Sequence, residues 1–194
     1  MRPVGRQLAL ILAVCAGFAL AHVGTSTMPF QIGALIDGSG RTAAEAGAFG
    51  MLEVGALALG MIAISGWVAR VSPLAIALVG CLLAALASMG LFWVRAAIPQ
   101  MALAVIAGLG FGFVFAASVA SAAATREPDR VYAIGNGGAL LAIVGVMSTI
   151  PAAAGRFGPL GIFAALAALA VACASFSFGL RGGKRAPHPQ KQTA

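Results

Sequence analysis

Residues 74–94 read LAIALVGCLLAALASMGLFWV, a run of 21 residues without a charged side chain. The apolar core of a bilayer is about 30 Å thick, and an α-helix needs roughly 20 apolar residues to cross it. Arg70 and Arg95 flank the run, and Pro73 stands directly before it, where the missing N–H costs a helix nothing. The stretch therefore predicts a transmembrane helix.

Charged residues divide the rest of the chain into further apolar runs of similar length. The six predicted spans cover residues 8–30, 46–68, 74–94, 101–124, 131–154 and 160–180. With 61% hydrophobic and 9% charged residues, a soluble domain of this sequence would lack a polar coat. The sequence thus predicts an all-α integral membrane protein, with residues 1–180 as a six-helix domain in the lipid bilayer and residues 181–194 as a disordered basic cytoplasmic tail.

The first span has a second interpretation, a cleaved secretory signal. Arg2 and Arg6 precede an apolar run that contains Ala-Leu-Ala at 19–21, a small-residue pattern typical of cleavage sites. The apolar pattern resumes after a short polar patch and continues to Phe30. We therefore expect the first helix to be retained.

The net charge is +7, and the basic residues are distributed unevenly between the two predicted sides of the membrane. If the N-terminus is cytoplasmic, the basic residues on the cytoplasmic side are Arg2, Arg6, Arg70, Arg126, Arg130, Arg181, Lys184, Arg185 and Lys191. Those on the outer side are Arg41, Arg95 and Arg156. This positive-inside bias predicts a multi-pass protein of the plasma (inner) membrane with both termini in the cytoplasm. No basic patch is interleaved with aromatic residues, so nucleic acid is not an expected partner.

A short repeat relates the two halves of the chain. Residues 70–76 read RVSPLAI and residues 156–162 read RFGPLGI, each directly before the third predicted helix of its half. Because three is an odd number of helices, two consecutive copies enter the membrane from opposite sides. The pattern predicts the 3+3 inverted repeat of secondary transporters.

Polar residues concentrate on the first, second, fourth and fifth spans. His22, Thr25 and Ser26 share one face of the first span by their i, i+3, i+4 spacing. The other candidate residues of a wet cavity are Glu53, Phe111, Phe115, Ser118 and Asn136. This distribution predicts a cavity lined by those four helices. The alternative is that the serines only let helices pack closely.

Glu53 is the only acidic residue inside a predicted span. A charged side chain at the centre of a bilayer costs at least about 2.5 kcal/mol, so Glu53 requires a partner or a proton. Helix counting places His22 near the same depth. We expect Glu53 to face the bundle interior as a proton site, with His22 as a second candidate or, alternatively, as a neutral histidine bonded to a backbone carbonyl.

Other functional classes find little support. Cys15, Cys81 and Cys173 lie inside spans, where a free cysteine packs as a small hydrophobe. The only histidine besides His22 is His188 in the tail, and the zinc motif H-E-x-x-H is absent. Channel signatures such as T-V-G-Y-G are absent too. We expect neither enzymatic activity nor a metal or cofactor.

These features resemble the N-terminal half of a major facilitator superfamily (MFS) transporter, over residues 8 to about 184. The resemblance lies in the six helices, the 3+3 repeat, the cytoplasmic N-terminus and the basic stretch after the last helix. The family's loop motif G-x-x-x-D-R-x-G-R-R has its counterpart in residues 66–73, GWVARVSP, where Gly66 and Arg70 are the matching residues and the acid is absent. The arginine that many proton-coupled members carry in helix four would fall at Ala104. The glycine-proline signature of antiporters is not reproduced around residues 145–151.

The resemblance implies secondary active transport of a small solute by a half-size transporter. Since no predicted span contains Lys or Arg, a neutral, cationic or lipophilic solute is expected, with proton coupling through Glu53. The second half of the pathway would come from a homodimer or from a separately encoded six-helix half. The alternative is a non-transporting membrane subunit or a truncated fragment of a twelve-helix transporter.

Overall fold

The computed structural model describes residues 3–67 and 70–182, and all regular structure within them is helical. The helices are α1 (Pro3–Ser26), α2 (Met28–Ser39), α3 (Ala43–Ser65), α4 (Pro73–Trp93), α5 (Ala97–Ala123), α6 (Pro128–Phe157) and α7 (Gly161–Ser177), followed by a 3₁₀ helix (Phe178–Gly182). The end of the predicted second span at Val68, and the predicted disordered tail beyond Gly182, lie outside the described residues.

Six of these helices are long and apolar enough to cross a membrane, and each coincides with one predicted span. The prediction of an all-helical membrane protein with six spans is therefore confirmed at that level. The predicted first span, residues 8–30, is not one continuous helix. The chain breaks at Thr27 and then continues as α2 to Ser39.

Proline explains the break between α1 and α2. Pro29 has no N–H to donate, and its ring disfavours a continuous helix through the preceding turn. The N–H of Phe30 donates to the Thr27 carbonyl at 2.9 Å, a tightened turn, and the Thr27 hydroxyl donates to the Val23 carbonyl at 2.7 Å. The helix axis is therefore interrupted while most of its backbone groups stay bonded.

The turn after α2 is built from local capping interactions. Gly40 ends α2 with a φ of 65°, a left-handed conformation that favours glycine. Thr42 then begins α3 with a capping box. Its hydroxyl accepts from the Glu45 N–H at 3.2 Å, and its own N–H donates to the Glu45 carboxylate at 2.9 Å.

Helix α5 lies at the centre of the bundle, with α3, α4 and α1 packed on it. Helix α1 also contacts α6 and α7, and α4 contacts α7. Gly108 and Gly112 of α5 face the backbone carbonyls of Glu53 and Leu57 on α3, so close that neither position has room for a Cβ atom. This G-x-x-x-G pair is a helix-packing seam.

The outer faces of α3 and α6 carry large exposed apolar side chains. Met51 and Leu59 on α3, and Leu140, Leu141 and Val144 on α6, are each more than 60% exposed. Such surfaces are costly in water and favourable against lipid tails. They fit a bundle whose surroundings are hydrocarbon.

A polar clamp ties two interhelical turns together at the end of the bundle where α2 ends and α5 begins. The buried Gln100 side chain accepts from Arg41 Nε at 3.0 Å and donates to the Ser39 hydroxyl at 2.9 Å and the Val94 carbonyl at 3.0 Å. Arg41 also donates to the Arg95 carbonyl. The clamp leaves no polar atom of the buried Gln100 side chain without a hydrogen bond.

The arginines predicted to share one membrane face lie at one end of the bundle. Arg41 contacts Arg95, and Arg156 lies beside Phe157, whose ring is 6.5 Å from that of Phe92. Arginines assigned to the other face line a single cavity at the opposite end; these are Arg6, Arg126 and Arg130.

We predict that the end carrying Arg95 faces outward, because the basic excess lies at the other end. In a cysteine-free background, Arg95→Cys should react with an impermeant maleimide in intact cells, whereas Arg126→Cys should react only after permeabilisation. The opposite labelling pattern would reverse the topology. Labelling of both positions in intact cells would contradict six crossings.

Candidate functional site

The candidate site is centred on Glu53, which lies on α3 and is 2% exposed. The Nε2 atom of Gln31 lies 3.3 Å from Glu53 Oε1, and the same nitrogen donates to the Gly24 carbonyl at 2.8 Å. It also lies 3.3 Å from the Thr27 hydroxyl oxygen. The site therefore joins the α1–α2 break to the middle of the second span.

The break itself brings these groups together. Thr27 stands in the interruption, and Gln31 follows one turn later on α2, so both polar groups point to the same side. Met28 of α2 lies within van der Waals reach of Gly50 on α3, which lets α2 cover the Glu53 region. Across from α2, the Gly108 position lets α5 approach the Glu53 backbone closely.

The polar groups of the site are not fully paired. Gln31 is completely buried, and its Oε1 atom makes no hydrogen bond to any described residue. A buried acceptor left unsatisfied costs about 1–3 kcal/mol. The ion pairs Arg41–Glu45 and Arg130–Glu127 do not involve Glu53, whose side chain instead contacts the uncharged amide of Gln31.

A shallow apolar groove of about 480 Å³ runs between α2 and α3 beside this site. Its lining includes Met28 and Ile32 on α2 and Gly50 and Val54 on α3. Gly50 and Val54 flank Glu53 in sequence. The groove therefore lies within one turn of the buried carboxyl.

The predicted interior position of Glu53 is confirmed. Glu53 does not lie on an open face of the monomer, whereas His22, Thr25 and Ser26 remain half-buried. Helix α2, which the sequence did not separate from α1, covers Glu53 in the monomer.

His22 belongs to a different cluster. Its ring centroid lies 5.6 Å from that of Phe115 and 6.4 Å from that of Phe18, in edge-on geometries. Phe18 in turn lies 5.0 Å from Tyr132. His22, Thr25 and Ser26 are half-buried, and the Thr25 hydroxyl donates to the His22 carbonyl at 3.0 Å.

The remaining candidates make their described contacts with residues other than Glu53. Phe111 packs against Gly24, and Asn136 donates to the Tyr132 carbonyl of its own helix at 3.1 Å. Ser118 is buried against Gly17, and its hydroxyl donates to the Val114 carbonyl at 2.8 Å. This is the geometry of the packing alternative for the serines.

Sequence reasoning missed Gln31 and Thr27. The predicted first span ends at Phe30, which leaves Gln31 outside it. The available signal was the i, i+4 spacing of Thr27 and Gln31 on either side of Pro29, which places two polar groups on one face of an interrupted helix.

No protein-family model matches the sequence, and no curated protein matches it significantly. Within residues 3–67 and 70–182, no three His, Cys, Asp or Glu side chains cluster as a metal site would require. The site offers a buried carboxyl, an amide and a hydroxyl at a helix break, which suits proton binding and hydrogen bonding to a solute.

Proposed function

We propose that the protein is a secondary active transporter of a small solute, built as an MFS-like half bundle, with Glu53 as its proton-binding residue. The observation that carries the proposal is the buried contact between Glu53 and Gln31 at the break in the first span. Transporters place ion and substrate sites near the bilayer midplane, at helices interrupted in this way.

The environment of Glu53 supports a protonated carboxyl. An ionised carboxylate inside an apolar bundle is expensive unless a cation compensates it, and the Gln31 amide carries no charge. A proton removes that charge. Opening the α2–α3 contact to water would then favour release of the proton. Proton coupling requires this alternation between binding and release.

The helix packing supports a 3+3 repeat. In a 3+3 repeat, each of the first three spans corresponds to one of the last three. Exchanging the two halves therefore interchanges α1 with α5, α3 with α6, and α4 with α7. Under this exchange the α3–α5 contact becomes α6–α1, and α4–α5 becomes α7–α1, while α1–α5 and α4–α7 map onto themselves. All of these pairs are in contact in the structure.

Solute chemistry follows from the charges. The six predicted spans contain no Lys or Arg, so an anionic solute would find no counter-charge in the membrane interior. The buried Gln31 Oε1 offers an acceptor to an N–H or O–H group. A neutral, cationic or lipophilic solute therefore fits best.

The polar stripe on α1 bears on how the half bundle would assemble. The His22, Thr25 and Ser26 stripe is half-buried, and hydrocarbon would leave its exposed polar groups without partners. We propose that a homodimer, or a complex with a separate six-helix half, covers this face. Both arrangements keep all termini on one side of the membrane.

In native membranes, Thr25→Cys should cross-link to a dimer-sized species, because the stripe would face the partner. Ser121→Cys is the matched control, since Ser121 is 2% exposed and its hydroxyl bonds within α5. Equal cross-linking of both variants, or none at Thr25, would contradict a homodimer through this face.

The function is tested by flux into proteoliposomes of the purified protein. Radiolabelled glucose, choline and ethidium serve as neutral, cationic and lipophilic probes, with and without an imposed pH gradient. We expect at least one probe to accumulate in proportion to the gradient, compared with liposomes without protein. If no probe enters proteoliposomes faster than it enters protein-free liposomes, the result would favour the alternative of a non-transporting subunit or fragment.

A further inference from the structure

A second cavity, of about 820 Å³, opens at the end of the bundle where α1 begins. The start of α1, the α5–α6 turn and the 3₁₀ helix surround it. It lies at the opposite end of the molecule from the Gln100 clamp. The proton site on Glu53 does not contribute to its lining.

Cationic groups dominate the polar part of this cavity. Arg6, Arg126 and Arg130 line it, against a single acidic residue, Glu127. Glu127 pairs with Arg130 at 3.0 Å, and both side chains remain more than 60% exposed. Arg126 makes no side-chain hydrogen bond or ion pair within the described part of the chain. The cavity therefore has a positive balance, with Arg126 available to an anion.

The other walls are apolar. Leu10 and Ile11 on α1 face Val131 and Ile134 on α6. Farther along the outer surfaces of these helices, Leu12 is 44% and Leu140 is 64% exposed. An apolar path thus leads from the arginines along α1 and α6 toward the lipid-facing surface.

We propose that this cavity binds an anionic phospholipid, with the phosphate at Arg126 and Arg130 and an acyl chain against Leu10, Ile11 and Ile134. Free phosphate shares the headgroup chemistry but has no use for the apolar walls. Basic pockets between transmembrane helices are known to hold such headgroups. The predicted topology places the cavity at the cytoplasmic leaflet, where anionic lipids are enriched.

Native mass spectrometry of the full-length purified protein tests the proposal, with dioleoyl phosphatidylglycerol and dioleoyl phosphatidylcholine as the two probes. We expect tighter binding of phosphatidylglycerol. Arg126→Gln should weaken that binding about fivefold, the effect expected for one basic side chain near an anionic surface. Glu127→Gln should strengthen it by about the same factor, a gain that misfolding would not produce.

Arg70→Gln is the matched control, because Arg70 lies in the α3–α4 turn and does not line the cavity. Its binding of phosphatidylglycerol should equal that of the wild type. The proposal is wrong if Arg126→Gln behaves like Arg70→Gln, or if phosphatidylcholine binds equally well. It is also wrong if inorganic phosphate at millimolar concentration displaces the lipid completely, because the acyl chain would then contribute nothing.

Discussion

Glu53→Gln should abolish gradient-driven accumulation of the transported solute while leaving solute exchange intact. Glutamine keeps the size of the side chain and the hydrogen bond to Gln31, but it cannot release a proton. With one proton per solute, a gradient of one pH unit sustains at most about a tenfold concentration ratio, since 1.36 kcal/mol corresponds to a factor of ten. In proteoliposomes that ratio should fall to about one in the variant.

Asp37→Asn is the control, because Asp37 is exposed near the end of α2 and forms no side-chain hydrogen bond or ion pair among the described residues. It should retain the wild-type accumulation ratio. Gradient-driven accumulation that persists in Glu53→Gln would remove Glu53 from the coupling mechanism. Loss of both accumulation and exchange would assign Glu53 to folding or to solute binding instead.

Gly108→Ala should destabilise the bundle by about 1–3 kcal/mol, the usual cost of overpacking a tight interface. A Cβ atom at this position would lie 2.9 Å from Ala56 Cβ and still closer to the Glu53 carbonyl, and backbone cannot rotate away as a side chain can. Alanine also favours a helix over glycine by about 0.5–1 kcal/mol. The substitution is therefore destabilising only if the free-energy cost of the steric clash exceeds the gain in helix propensity.

Gly55→Ala makes the same chemical change on α3 at a position with no atom within 4 Å of the added carbon. It should be neutral or stabilising. Reversible unfolding in mixed micelles titrated with sodium dodecyl sulfate measures both free energies of unfolding. Equal values for the two variants would contradict the close α3–α5 seam on which the position of Glu53 depends.

Much of the architecture was predictable because hydrophobic length and charge spacing are strong signals in a membrane protein. Each of the six spans, the capping box at Thr42 and the glycine seam at Gly108 and Gly112 follows from local sequence. The two ends of the bundle also separate the arginines as their alternation along the chain predicts. These features depend on neighbours in sequence or on a single helix pair.

The surroundings of Glu53 were only partly predictable. Its interior position follows from the cost of exposing a carboxyl to lipid, but its neighbour does not. Gln31 reaches Glu53 because Pro29 interrupts the helix and α2 folds against α3. Likewise, Gln100 joins Arg41 through a contact between residues far apart in the sequence. Helical periodicity treats each span as straight, so it cannot place groups that a break redirects.

The central claim is that Glu53, next to Gln31 at the break of the first span, binds and exchanges a proton. Infrared difference spectroscopy of wild type against Glu53→Gln at neutral pH tests it directly. The spectrum should contain the C=O stretching band of a protonated carboxyl that the variant lacks, and the band should shift when H₂O is replaced by D₂O. A spectrum that assigns only ionised carboxylate bands to Glu53 would contradict the account.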